Sequence, residues 1–206
     1  MSAVRVKICG ITRRRDVRAA VLAGADALGF VFAPLSKRVL NFERAAELVA
    51  RVPAFVSRVG LFMDQDFEAV ATILDQVPLN LLQFHGSEDG EFCRQFGMPY
   101  IKAVSMDSTA AVERAGAEYP DAAALLLDSH AAGGTGGTGR VFDWSLVPQC
   151  ALPLVLAGGL EPGNVRQAVQ QVRPWAVDVS SGVESAPGIK SEELMRKFIE
   201  EAKCEY

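Results

Sequence analysis

The stretch PLVLAGGLEPGNVRQAVQQVRPWAVDVSSG, residues 153–182, contains one complete unit of the predicted fold. The apolar run at 154–157 predicts a buried strand, the apolar spacing over 161–171 predicts a helix, and the run at 176–179 predicts a second strand. Short apolar strands separated by a helix are typical of a parallel sheet that is covered on both faces.

The same unit recurs along the whole chain. Eight runs of β-branched and apolar residues begin near Val4, Ala27, Phe55, Leu79, Pro99, Ala122, Pro153 and Trp175. Segments with helical spacing lie between most of them, at 16–23, 42–51, 66–76, 88–96, 108–118 and 161–171, and a last one follows at 191–203. Such alternation fits a closed barrel or an open doubly wound sheet. The eightfold repeat favours an α/β fold of the single-domain (β/α)8 (TIM) barrel type over residues 1–206.

Composition excludes several classes of protein. The 206 residues carry a formal net charge of -4, and the arginines at 13–15 are followed at once by Asp16, which fits the solvated start of a helix. We therefore expect no nucleic-acid partner. No apolar run approaches the ~18 residues of a membrane span, and the first ten residues do not resemble a signal peptide, so we expect a cytoplasmic protein without a membrane partner.

The cysteines and histidines give no pattern for a metal site. The four cysteines at 9, 93, 150 and 204 include no Cys-x-x-Cys pair, and only His85 and His130 are present. We expect reduced thiols and no metal.

Two glycine-containing loops follow the last two predicted strands. Gly158 and Gly159 come after strand seven, and Ser180, Ser181 and Gly182 come after strand eight. Glycine lets the backbone approach an anion closely, and phosphate-binding barrels hold phosphate with these two loops. The sequence thus predicts a phosphate site and a small phosphorylated ligand, although turn glycines can also be purely structural.

A thiol and a carboxyl group end two other strands. Cys9 ends strand one and Asp128 ends strand six, so a barrel points both into one mouth, where a general base and a general acid are needed for proton transfer on two sides of a substrate. A nearby cation such as Lys7 favours a thiolate. The alternatives are that Cys9 is a small buried apolar residue and that Asp128 caps a helix; the charge of Asp128 stays open.

Further polar residues surround this predicted mouth. Arg38 can fork onto a substrate carboxylate or form a surface salt bridge. Asp178 can orient a substrate amine or support loop eight. Gln83 and His85 end strand four and are candidates for substrate contact, and His85 is equally suited to a structural role.

A competing pattern is Gly134-x-Gly136-x-x-Gly139, which matches the dinucleotide-binding fingerprint. The residues that follow it leave little room for the required helix before Pro148. We interpret this segment as a lid with glycine hinges.

Together these segments resemble the phosphoribosylanthranilate isomerase family of tryptophan biosynthesis. The resemblance rests on KICGIT (7–12), GFVF (29–32), VGLF (59–62), LQFHG (82–86), LD (127–128), GGTG (136–139), FDW (142–144), LAGGL (156–160), DVSSGVE (178–184) and PGIK (187–190). It implies that Cys9 is the general base and Asp128 the general acid of an Amadori rearrangement. It also implies that Arg38 holds the anthranilate carboxylate, that the two glycine loops hold the phosphate, and that no cofactor takes part.

Two positions depart from the family pattern. The glycine loop is doubled over 133–139, and Lys37 stands where many relatives have proline. The rival hypotheses are a sister phosphate-binding barrel, against which Cys9 speaks, and a phospho-ligand sensor without catalysis. The sequence is compatible with a monomer or a homodimer.

Overall fold

The computed structural model describes residues 4–129 and 142–204, and its central feature is a closed barrel of eight parallel strands. Each strand pairs with the next along the chain, and β8 pairs with β1. The strands are β1 Arg5–Cys9, β2 Ala27–Val31, β3 Ser57–Phe62, β4 Leu81–Phe84, β5 Tyr100–Ser105, β6 Ala124–Asp128, β7 Leu154–Leu156 and β8 Ala176–Val179. The predicted barrel is confirmed.

Seven α-helices cover the outside of the described barrel. They are α1 Arg14–Ala23, α2 Phe42–Val49, α3 Phe67–Gln76, α4 Gly90–Arg94, α5 Thr109–Glu118, α6 Val165–Val172 and α7 Glu192–Lys203. The side chains of Asn41, Asp66, Asp89 and Ser191 accept a backbone N–H three residues further on, which fixes where four of them begin. The α4 helix is shorter than predicted, because Asp89 caps its start and Gly97 soon takes a left-handed φ of 61°.

Two connections differ from a regular βα repeat. Between β6 and β7 the described residues 142–153 form a 3₁₀ helix, Trp144–Leu146, rather than an α-helix. After β8 the chain makes a 3₁₀ helix, Ser181–Val183, and then a small hairpin of β9 Glu184–Ala186 and β10 Ile189–Lys190. The hairpin was not predicted, because its strands have three and two residues and carry no apolar run.

The two faces of the strands build two separate cores. Outward residues such as Ile8, Phe62 and Phe84 pack against the helices in one large cluster. Inward residues form smaller clusters made of strand residues and their neighbours, such as Ile101 and Leu126. Side chains alternate across a strand, so every second residue of each strand points into the barrel. At the carboxyl ends of the strands, these inward residues are the polar groups described next.

Candidate active site

The predicted acid and base lie on inward positions at the carboxyl end of the barrel. Cys9 is the last residue of β1 and Asp128 is the last residue of β6; both are buried. In barrels of this kind the chemistry takes place at this end. The arrangement therefore brings a thiol and a carboxyl group into one mouth from two sides.

Cys9 lies beside a buried ion pair. The Lys7 ammonium is 2.9 Å from Asp178 Oδ1, with side-chain exposures of 4% and 9%, and Lys7 leaves β1 on the same face as Cys9. Gly29 of β2 pairs with Cys9 in the sheet and leaves the necessary space, since a Cβ at this position would lie 2.9 Å from the sulfur. The thiol is thus enclosed by a lysine, a carboxylate and a bare backbone.

Burial and the neighbouring charges together determine the pKa of Cys9. Burial raises the pKa of the Cys9 thiol, the charge of Lys7 and that of Lys190 oppose this rise, and Asp178 adds to it. Burial by itself lowers the pKa of Lys7, but Asp178 and Cys9 outweigh it, so the pKa of Lys7 is raised overall. Lys7 is therefore a fixed cation next to the thiol.

Arg38 meets a carboxylate from the hairpin after β8. Its Nε and Nη2 each lie 2.7 Å from an oxygen of Glu184, and Lys190 Nζ lies 2.7 Å from Glu184 Oε1. This bidentate pair uses two of the five N–H donors of the guanidinium. The pKa of Glu184 stays below its usual value, because Arg38 and Lys190 outweigh the effect of burial.

Glu184 and Lys190 are site residues that the sequence reasoning missed. Both belong to segments quoted for the family resemblance, DVSSGVE and PGIK, but no local pattern links them to Arg38. Lys190 Nζ also donates to the Ser180 carbonyl oxygen at 3.0 Å, so it connects Arg38 to the loop after β8.

The opposite side of the mouth carries His85 and Gln83 next to Asp128. His85 Nε2 is 3.5 Å from Asp128 Oδ2, and Gln83 Nε2 is 3.1 Å from His85 Nδ1. Ser129 Oγ lies 3.5 Å from the other oxygen of Asp128. Gln83 is fully buried, and the side chain that it contacts at the mouth is that of His85.

The two glycine loops predicted to hold phosphate lie against each other. Gly158 and Gly159 adopt left-handed φ values of 76° and 67°, which glycine takes without strain. A Cβ on Gly182 would clash with the Leu160 carbonyl oxygen, so the loop after β8 touches the loop after β7. The 3₁₀ helix Ser181–Val183 begins there, and its first N–H groups suit an anion.

Some predicted features lie outside the described residues, namely His130 and the glycine segment 133–139. Within residues 4–129 and 142–204, no group of three or more His, Cys, Asp and Glu side chains is arranged to hold a metal ion. In the same ranges, every helix is too short or too polar to cross a membrane.

Comparison with protein families matches residues 6–201 to the model described as N-(5'phosphoribosyl)anthranilate (PRA) isomerase. Among curated proteins, the N-(5'-phosphoribosyl)anthranilate isomerase of Hahella chejuensis is 50% identical over 98% of this chain and 96% of its own length. That of Thiobacillus denitrificans is 52% identical over 98% of this chain and 99% of its own length.

Solved structures give the same result. The phosphoribosyl anthranilate isomerase from Thermotoga maritima has 43% identity and a TM-score of 0.87, over 97% of this chain and 98% of its own. A structure of such an isomerase in complex with reduced 1-(o-carboxyphenylamino)-1-deoxyribulose 5-phosphate has 43% identity and a TM-score of 0.84 over the same shares. The likeness therefore extends over the whole barrel.

Proposed function

The chain belongs to the N-(5'-phosphoribosyl)anthranilate isomerase family, and on that premise we propose that Cys9 is the general base and Asp128 the general acid of its reaction. The enzyme is an intramolecular isomerase of tryptophan biosynthesis that converts N-(5'-phosphoribosyl)anthranilate into 1-(2-carboxyphenylamino)-1-deoxyribulose 5-phosphate by an Amadori rearrangement. One observation supports the two roles above all. Cys9 and Asp128 are the inward-facing last residues of β1 and β6, so they can approach one substrate from two sides.

The reaction divides into two proton transfers. Asp128 gives a proton to the furanose ring oxygen, the bond from that oxygen to C1 breaks, and the nitrogen lone pair forms the Schiff base. Cys9, as thiolate, then removes the proton on C2, and the electron pair returns to nitrogen to give an enolamine. This enolamine tautomerises to the ketose. A positioned acid or base contributes about 10²–10⁴-fold to such a step.

The remaining predicted residues are assigned to binding. The substrate carries a phosphate at one end and a carboxylate at the other. We assign the phosphate to the backbone of Gly158, Gly159, Ser180, Ser181 and Gly182, and the carboxylate to Arg38. The bidentate pairing of Arg38 with Glu184 supports this role, because it fixes the plane of the Arg38 guanidinium.

Gln83, His85 and Asp178 are assigned to the central part of the substrate. His85 lies between Gln83 and Asp128, which supports a contact with the sugar next to the acid. Asp178 lies beside Lys7, on the same side of the mouth as Cys9. The substrate nitrogen is bonded to C1, next to the C2 that gives its proton to Cys9, which supports a contact between Asp178 and this nitrogen. No cofactor takes part in this scheme.

The assembly and the location of the enzyme also belong to the proposal. One structural relative is described as mutually generated monomers of a dimeric phosphoribosylanthranilate isomerase from Thermotoga maritima. We propose that the present chain acts as a monomer or a homodimer in the cytoplasm.

The test is turnover of freshly made phosphoribosylanthranilate, followed by its fluorescence. We expect Cys9→Ala and Asp128→Asn each to lower kcat by on the order of 10²-fold or more, with substrate binding nearly unchanged. Cys150→Ala is the matched control, because Cys150 is a half-buried thiol away from the barrel interior. Full activity of Cys9→Ala would remove the thiol from the mechanism, and full activity of Asp128→Asn would remove the carboxyl group.

A further inference from the structure

Lys7 is a buried cation on the same strand face as Cys9. The two residues are two positions apart on β1, so their side chains leave the strand on the same side. The Lys7 side chain is 4% exposed, and it is a neighbour of the Cys9 side chain, because one Cβ placed on Gly29 would approach both Lys7 Cε and Cys9 Sγ. A lysine without access to water is costly to keep charged, so its place next to a thiol calls for a physical reason.

Asp178 holds Lys7 in this place. Lys7 and Asp178 are register partners of the pair β1–β8, and their side-chain atoms are 2.9 Å apart. The bare backbone of Gly29 lies beside both Lys7 and Cys9, since a Cβ on Gly29 would be 3.2 Å from Lys7 Cε and 2.9 Å from Cys9 Sγ. The ammonium is thus aimed by its partner and by the space around it.

We propose that Lys7 is a positioning residue for the rearrangement: its ammonium, held by Asp178, donates a hydrogen bond to Cys9 and stabilises the thiolate that takes the C2 proton. The inference rests on the proposed role of Cys9 as general base. The C2 proton moves to the sulfur and leaves a neutral thiol, while Lys7 keeps its own proton because Asp178 remains its partner.

The charges that face Cys9 agree with this role. Lys7, Lys190 and Arg38 are cations that interact with the thiol, Asp178 is the carboxylate that does so, and Glu184 pairs with Arg38 and Lys190. Three cations and two carboxylates leave one positive charge in excess, which a thiolate neutralises. A thiolate is the active form of a cysteine base, and a cation in contact with it favours that form.

A second buried lysine provides the control. Lys102 on β5 also has a side chain that is 4% exposed, and it is 3.4 Å from Glu88, but its contacts lie among outer-core residues such as Tyr119. If any buried lysine pair affected Cys9 through general stability, Lys102→Met would act like Lys7→Met.

The experiment compares Lys7→Met, Lys7→Arg and Lys102→Met. Each variant is titrated by thiolate ultraviolet absorbance against the same variant with Cys9→Ser, so that the difference reports Cys9 alone. We expect Lys7→Met to lower the thiolate fraction at neutral pH by about tenfold or more, and kcat in proportion. Lys7→Arg restores part of both, and Lys102→Met leaves the Cys9 titration unchanged.

A folded Lys7→Met protein with an unchanged Cys9 titration would overturn the proposal, as would a shifted titration with unchanged kcat. If Lys7→Met does not fold, Lys7→Gln, which removes the charge but keeps a polar side chain, carries the test: a Cys9 titration and a kcat identical to those of wild type overturn the proposal, and a shift in both supports it. Failure of the underlying function is a separate result, because Cys9→Ala would then retain turnover whatever the titration shows.

Discussion

Lys7 and Lys102 are both buried lysines on barrel strands, and each lies next to a buried carboxylate, but they lie on opposite faces of the sheet. Lys7 faces the inside, together with Cys9 and Asp178, and Lys102 faces the outer core, where it also donates to the Gly86 carbonyl oxygen. The two pairs have the same chemistry and nearly the same burial. What separates them is the parity of the position along the strand, which decides whether a charge meets the substrate cavity or the helices.

The comparison shows that the contribution of a buried ion pair to stability does not indicate whether the pair also has a role in catalysis. Removing one partner of such a pair leaves a charge without compensation, whereas replacing both partners by apolar residues is often neutral. Stability measurements should therefore treat the inner and the outer pair alike, and only measurements of chemistry should distinguish them.

The largest effect is expected when the carboxylate of either pair is removed. We expect Asp178→Asn and Glu88→Gln each to lower the free energy of unfolding by about 3–5 kcal/mol, because each leaves a buried lysine without its partner. Urea denaturation measures the change. A loss below about 1 kcal/mol in either single variant would contradict the argument.

The next effect concerns two strand glycines that lie on opposite faces in the same way. A Cβ on Gly29 would lie 2.9 Å from Cys9 Sγ, and a Cβ on Gly60 would lie 2.9 Å from Phe62 Cε2 and clash with Leu79. We expect alanine to cost about 1–3 kcal/mol of stability at both positions, from overpacking. Only Gly29→Ala should also reduce kcat, by about tenfold or more, because it displaces Cys9, the proposed base. Equal kcat in the two folded variants would break the comparison.

The smallest effect is the dependence of the rate on pH. Burial raises the pKa of Cys9 above the ordinary thiol value of 9.0, and the proposed reaction needs Cys9 deprotonated and Asp128 protonated at the same time, so kcat/KM should fall on both sides of an optimum pH. On each limb of the profile the rate changes by about tenfold per pH unit. Lys102→Met should keep the profile and Lys7→Met should move it to higher pH. Coincident pH profiles of Lys7→Met and wild type would contradict the influence of Lys7 on the proposed base.

The strands and the closed barrel were predictable because each strand is a local event. A strand buried on both faces needs a short apolar run, and eight such runs are visible in the sequence. The positions of Cys9 and Asp128 at the ends of their strands followed from the same local pattern.

The partners of these residues were not predictable from the sequence alone. Arg38 and Glu184 are 146 positions apart, and Lys7 and Asp178 are 171 positions apart, so their pairing depends on barrel register and not on spacing. The crossover from β6 to β7 was also irregular. Its described part, 142–153, has Pro148 and Pro153 and only one 3₁₀ turn, because proline cannot continue a helix beyond its first turn.

The pairing of β1 with β8 has a consequence for synthesis of the enzyme. The ribosome delivers Cys9 and Lys7 early, but the carboxylate that orients Lys7 leaves it only with the eighth strand. On the proposed roles, a nascent chain therefore has the Cys9 thiol long before Asp178 can hold Lys7 beside it, and the two ends of the chain must meet before turnover begins. Acquisition of activity during translation thus reports the moment at which the ring shuts.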